Sequence, residues 1–205
     1  LLIAALPLAA SAQSIPGVDP ATRAALQAAE RGQVTPALPA SHPLFSWMEM
    51  AALRQRVGSL DAATAQGFLT RNRGLPPAEM FRDAWLAELA KRADWQHFLQ
   101  AWQPRQATGL RCAHLQAQAA TGQKDAHWQQ QLTQLWAGAG NSLPDRCDAV
   151  IDQLVMTDAL RWQRFDAAVA QGQPAIMRRA AHGLPAEHLA QANAYARYLE
   201  AADAS

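Results

Sequence analysis

The stretch LPPAEMFRDAWLAELAKRADW, residues 75–95, decides the fold. Pro76 and Pro77 suit the first turn of a helix, where the missing N–H has no intrahelical partner to lose. Trp85, Leu86 and Leu89 follow at helical spacing, and Asp94 then offers the side-chain acceptor that opens a second helix. The same unit of helix, breaker and next helix recurs in both directions along the chain. The expected class is all-α: an α-superhelix of stacked antiparallel helical hairpins, solenoid-like, each pair burying its apolar face only against its neighbours.

Upstream, Asp19-Pro20 starts a short helix that runs to Gly32, and residues 33–41, with Pro36 and Pro39 and no periodicity, read as a linker. From His42-Pro43, the residues Leu44, Trp47, Met48 and Ala51 recur at helical spacing up to Gly58, and a further helix covers about 61–71. In the helix opened by Pro76, the spacing predicts Met80, Ala84, Trp85 and Leu89 on the buried face and Arg82, Asp83, Lys91 and Arg92 in solvent. Downstream helices are expected over about 107–120 and 125–137, then one bearing Cys147, Val150, Ile151 and Leu154, then 159–170, 174–181 and 185–202. No alternating run of β-branched and aromatic residues argues for a strand. The last helix ends at Ser205 without a cap or glycine, which points to further sequence beyond it.

The 205 residues carry 18 Lys and Arg against 17 Asp and Glu, a net charge of +1, with no basic run. That balance offers no electrostatic footprint for nucleic acid or an anionic membrane, and neither is expected as a partner. The opening LLIAALPLAASA is apolar and ends in the small-residue pattern Ala10-Ser11-Ala12, the mark of a secretory signal cut before Gln13. It is too short to span a bilayer, and it lacks an initiating Met and a basic start, so it reads as a clipped signal peptide. A buried N-terminal helix is the structural alternative. The expected organisation is therefore a signal remnant over 1–12, a leader with one short helix and linker over 13–40, and a superhelical domain over 41–205.

Export gives meaning to the two cysteines, Cys112 and Cys147, because thiols paired outside the reducing cytosol stay paired. A disulfide between them would join one hairpin to the next, and two buried free thiols are the alternative. Chemistry is harder to find. The six histidines form no H-E-x-x-H, there is no C-x-x-C, and Cys112 and His114, two apart on a helix, point roughly 200° from each other. No metal, cofactor-binding or catalytic residue is assigned. Among the acids Glu49 stands out, following Trp47 and Met48 on an apolar helix, where burial can raise a carboxyl pKa; an arginine partner or a capping role is the structural reading. Of the seven tryptophans most fall on apolar faces as core knobs, and Trp102, beside Pro104, is the one expected to be exposed as a sugar-stacking plate.

His42-Pro43-Leu44, the Leu75-Pro76-Pro77 opening, Trp85-Leu86-x-x-Leu89-Ala90 with Arg92-x-Asp94-Trp95, the Leu135-Trp136 pair, and Ser142-Leu143-Pro144 leading to Cys147-Asp148 together resemble the N-terminal superhelical region of the soluble lytic murein transglycosylase family. The resemblance covers about residues 42–199. It implies an α-superhelix that closes a ring with a linker domain and a C-terminal lysozyme-like domain, and a periplasmic enzyme that cuts the bond between N-acetylmuramic acid and N-acetylglucosamine without water, leaving a 1,6-anhydromuramoyl end. The two cysteines match the family's superhelix disulfide. The family's catalytic glutamate sits in a Glu-Ser motif, and no glutamate of this chain is followed by serine, so no catalytic residue is carried over.

The expectation is a scaffold that lacks the catalytic domain and guides peptidoglycan glycan strands in the periplasm, with other cell-wall enzymes as further partners. A TPR-like periplasmic protein-binding module is the alternative, against which the uneven hairpin lengths and the missing 34-residue pattern count.

Overall fold

A computed structural model describes residues 19–32 and 38–203. The signal remnant, its cut before Gln13 and residues 33–37 of the expected linker lie outside the described residues. Those that are described form eleven α-helices and two 3₁₀ turns, with no strand among them.

The helices are α1 (Pro20–Glu30), α2 (Phe45–Gln55), α3 (Ala62–Arg71), α4 (Pro76–Lys91), α5 (Trp95–Ala101), α6 (Thr108–Ala120), α7 (Ala126–Ala137), α8 (Asp148–Ile151), α9 (Asp158–Ala170), α10 (Pro174–Ala181) and α11 (Ala186–Asp203). Their starts are chemically marked. Asp19, Asp61, Asp94 and Asp125 each accept a backbone N–H of the first turn, and Thr157 does the same through its hydroxyl. Each such cap satisfies a donor that the helix cannot and contributes about 1 kcal/mol. Ahead of α2, the His42 ring Nδ1 accepts the Leu44 N–H at 3.2 Å, so the His-Pro pair shapes the entry to that helix.

The chain divides into two compact units, residues 1–81 and 82–205, with the boundary inside α4. In the first, α1 packs on α2 through Ala25, Ala29, Met48 and Ala52, and Leu38 joins that core. Phe68 of α3 meets Phe81 edge to face at 5.0 Å, a geometry in which a positive ring edge faces a negative ring face.

In the second unit the cores form between sequence neighbours. Cys112, Leu115, Trp128, Leu132, Leu135, Cys147 and Val150 close one between α6, α7 and the start of α8. Phe165, Ala168, Ile176, Met177, Ala180, Leu184 and Ala192 close another, in which α10 packs against both α9 and α11. The interhelical spacing is tight where α7 ends: a Cβ on Gly140 would lie 2.4 Å from the Ala167 carbonyl oxygen of α9, so only glycine lets the two backbones approach.

Three local expectations fail for identifiable reasons. The helix predicted to carry Cys147 through Leu154 is a 3₁₀ turn, Asp145–Cys147, followed by a single α turn. Gln153 and Leu154 make i→i+3 bonds to Val150 and Ile151, which tighten the chain out of the α-helix, and Thr157 must reach extended φ/ψ to cap α9. On α4 the buried stripe is Ala78, Phe81, Arg82, Trp85, Leu86 and Leu89, one position round from the predicted face. Met80 therefore lies outside it and is exposed, while Arg82 is buried and donates from Nη1 to the Ala101 carbonyl at 3.0 Å. The long arginine stem covers apolar surface as the guanidinium satisfies the end of α5.

The turn between α4 and α5 holds a non-glycine residue at positive φ. Ala93 has φ of +56°, and the Asp94 N–H reaches back to the Leu89 carbonyl at 2.9 Å, the bond that closes a Schellman turn. Left-handed backbone costs an L-residue about 1–2 kcal/mol, offset in a glycine variant by the greater freedom of its unfolded chain. Ala93→Gly is expected to raise stability by about 0.5–1 kcal/mol, seen as a higher urea midpoint; a lower midpoint would contradict this account of the turn.

Candidate functional site

The residues singled out from the sequence end in different places. Glu49 is part-buried on α2 and accepts a hydrogen bond at Oε1 from Arg71 Nη2 of α3. It is thereby a structural tie between two helices. Cys112 and Cys147 are joined in a disulfide, with Cα atoms 5.0 Å apart and both residues fully buried. Cys112 is therefore not a thiolate, which removes it as a ligand beside His114. His97 pairs its Nδ1 with Asp94 at 2.8 Å, and the His127 ring contacts the Gln131 amide at 2.9 Å.

No tryptophan among the described residues is exposed. Trp85 and Trp128 are buried, and the Trp128 indole N–H donates to the Leu115 carbonyl at 2.8 Å. Trp102, expected to stand free, is part-buried instead. It stacks on Phe98, ring centres 5.6 Å apart, and nearly parallel on His114 at 4.2 Å. It is the C-cap residue of α5, in extended backbone with φ of −62° and ψ of 137°, and the contacts with the Phe98 and His114 rings cover its indole. The exposed aromatics are Tyr195 and Tyr198 on α11, whose rings stack at 6.3 Å.

Trp102 and His114 form one wall of a cleft of about 240 Å³ whose other sides include Arg105, Arg111, Gln131 and Gln134. A second cleft, of about 190 Å³, adjoins it beyond Arg111 and Gln134, which line both, and continues along Thr108, Asn141 and Ser142. The helices α6 and α7 position these groups. Arg111 is exposed while the next residue, Cys112, is buried in the disulfide, so the covalent tie holds the helix from which Arg111 projects. Arg105 is occupied by Asp83 at 2.9 Å. Neither cleft has an acidic residue in its walls.

Burial pushes the His114 imidazole from its ordinary 6.5 down to about 4. The unfolded chain thus takes up a proton near pH 6.5 that the folded state refuses until about pH 4. More protons bind to the unfolded state in that window, so stability falls as the pH drops through it. Urea midpoints are expected to decline between pH 7 and pH 5 more steeply in the native chain than in His114→Gln; equal slopes would show that the ring is not desolvated.

Arg164, like Arg82, is a buried cation, with its guanidinium 4.1 Å over the Trp136 ring. Burial, and then the charge of Arg179, lower its pKa. Its Nε and Nη1 make no hydrogen bond among the described residues, and the indole face supplies its electrostatic compensation. It lines neither cleft.

Hairpins of α-helix packed on their sequence neighbours, stapled by a buried disulfide and furrowed by a polar cleft, define a helical-array protein with no catalytic constellation among the described residues. The chain is homologous to soluble lytic murein transglycosylase. It is 29% identical over 159 residues to that protein from Escherichia coli strain K12 and equally to that from Salmonella typhimurium, covering 75% of this chain and 24% of each relative. The chain thus spans about a quarter of the length of the curated relatives it matches.

Among solved structures it resembles the 70-kDa soluble lytic transglycosylase of E. coli, with TM-score 0.67 and 23% identity over 77% of this chain and 26% of that one. It also resembles the lytic transglycosylase Slt of Pseudomonas aeruginosa, solved as an inactive mutant, with TM-score 0.73 and 25% identity over 88% of this chain and 31% of that one. No family model matches the sequence.

Proposed function

We propose that this chain is the superhelical scaffold part of a periplasmic peptidoglycan lytic transglycosylase, with residues 41–205 as the scaffold domain behind an exported leader. It shapes and guides glycan strands toward a reacting carboxyl supplied from outside these 205 residues. The observation that carries this is the joint match in sequence and in backbone to soluble lytic transglycosylases along most of the chain. The chemistry of the residues agrees. Cleavage of a glycosidic bond needs a carboxylic acid held against the leaving oxygen, and here Glu49 is taken up by Arg71, Glu88 by Arg92 at 2.9 Å and Glu200 by Arg178. In this reading the contribution of the chain to the 1,6-anhydro product is positional: a strand held in register turns an encounter into an intramolecular step.

The test is cosedimentation of the purified chain with insoluble peptidoglycan, followed by chromatography of the soluble fraction. Binding without release of anhydromuropeptides is expected. Release of anhydro ends that Glu49→Gln abolishes would make Glu49 the acid and overturn the division between scaffold and catalysis. Absence of binding would remove the glycan-guiding role.

A further inference from the structure

We propose that Asn141, in the loop that follows α7, is a site of spontaneous deamidation, and that the carboxylate it gains pairs with Arg111 in the cleft that both residues line.

The reaction is internal to the chain. The backbone nitrogen of Ser142 attacks the side-chain carbonyl carbon of Asn141 and gives up its proton, the bond from that carbon to the amide nitrogen breaks, and ammonia leaves. Water then opens the resulting cyclic imide. Opening at the side-chain carbonyl gives aspartate, and opening at the backbone carbonyl gives isoaspartate, in which the main chain runs through the former side chain. Nothing is oxidised or reduced, and water is the only co-reactant.

Such an attack needs a nitrogen with no hydrogen bond to break, an amide that nothing holds, and a chain free to bring them together. The Ser142 N–H donates to nothing among the described residues, and the Asn141 side chain has no partner among them. Both residues are exposed and neither lies in a helix. The small, unbranched Ser142 side chain leaves the approach open. The other two asparagines of the chain, Asn72 and Asn193, do not meet these conditions. Asn72 is buried, its Nδ2 donates to the Phe68 carbonyl at 3.0 Å, and the N–H of the following Arg73 is bonded to the Thr70 carbonyl. Asn193 lies inside α11, where the next N–H belongs to the helix ladder.

Position gives the change its consequence. No acid lines the cleft, and the Arg111 guanidinium has no ion pair or hydrogen bond among the described residues. A carboxylate at residue 141 is the first acid in that wall and the natural partner of the free cation. The cleft then holds an ion pair of its own and attracts outside anions less. Before the reaction the same positive charge favours the negative charge that builds up on the attacked oxygen. Isoaspartate has a further effect, because it lengthens the main chain next to Gly140, which sits so close to α9 that a Cβ would lie 2.4 Å from the Ala167 carbonyl oxygen. That seam has no room for a shifted backbone.

The test is incubation of the 205-residue chain in warm, mildly alkaline buffer, with peptide mapping by mass spectrometry. Asn141 is expected to convert at a rate within about threefold of that in the urea-unfolded chain, while Asn72 and Asn193 stay intact in the folded one. Ser142→Val, which crowds the nitrogen, should slow conversion roughly tenfold, and Arg111→Gln about threefold. Asn141→Asp should raise the urea midpoint at low salt, a gain lost in high salt and in the Arg111→Gln background. The isoaspartate form, separated chromatographically, should unfold at a lower midpoint than the aspartate form. An Asn141 that stays intact in the folded chain while the unfolded chain converts would overturn the site. Equal rates in the native chain and Ser142→Val would overturn the attack by the backbone nitrogen, and a midpoint gain that survives Arg111→Gln would overturn the pairing.

Discussion

Trp128→Ala is expected to remove about 3–5 kcal/mol of stability. Trp128 has no solvent exposure and packs at the centre of the core that Cys112, Leu115, Leu132, Leu135, Cys147 and Val150 form. Its truncation loses both the transfer free energy of the indole and the contacts of every atom left facing the void. The indole N–H to the Leu115 carbonyl adds a smaller share. Trp128→Phe keeps most of the buried area and should cost much less, its hydrogen-bond component about 1 kcal/mol. Urea unfolding of the two variants separates packing from hydrogen bonding. A typical domain holds roughly 5–15 kcal/mol in all, so the alanine variant should be near its unfolding threshold at 37 °C. A midpoint for Trp128→Ala equal to that of Trp128→Phe would show that the core relaxes around the loss.

Removing the Cys112–Cys147 bond should rank second. It closes a loop across a sequence separation of 35 residues, for which chain entropy gives about 3–4 kcal/mol. For a protein of this length that corresponds to a fall in melting temperature on the order of 10 °C. The double variant Cys112→Ala, Cys147→Ala is the cleaner probe, since a serine would place a hydroxyl where both residues are fully buried. Native chain unfolded with a reductant present should behave like that variant. Identical melting of oxidised and reduced protein would mean that packing alone holds α6 to the start of α8.

The helices were largely legible before any coordinates because their ends are written in residue types. Asp19, Asp61, Asp94 and Asp125 each stand one residue before a helix and accept its first-turn amides, and Pro76 and Pro174 sit at helix starts where φ is already suitable. The tie between Cys112 and Cys147 is legible because an expected export signal and a count of two leave one pairing.

Burial on α4 was harder to read. The stripe passes through Arg82, whose burial depends on the Ala101 carbonyl contributed by a different helix, and hydropathy spacing cannot see that partner. Burial of Trp102 escapes sequence spacing for the same reason, since its cover comes from His114 on α6. The clefts lay furthest from view. Arg111, Gln134 and Asn141 form no motif, and only the packing of α6 and α7 with the loop that follows α7 brings them round one cleft. A hint was available in Arg111 itself, a cation on a helix with no acid three or four residues away to pair with it.

The cores of the second unit close between elements that are neighbours along the chain, and this bears on how the protein is made. A ribosome, or a pore that admits an unfolded polypeptide, delivers residues from the N-terminus onward. Each cluster here is complete once the next helix or two have emerged: α7 and the first residues of α8 finish the one around Trp128, and α11 finishes the one around Met177. Neither of these two clusters has to wait for a distant partner, so the interval in which its apolar residues could stick to another chain is short. Contacts of low sequence separation also form quickly. Assembly can thus keep pace with delivery, each finished core serving as the template on which the following hairpin settles.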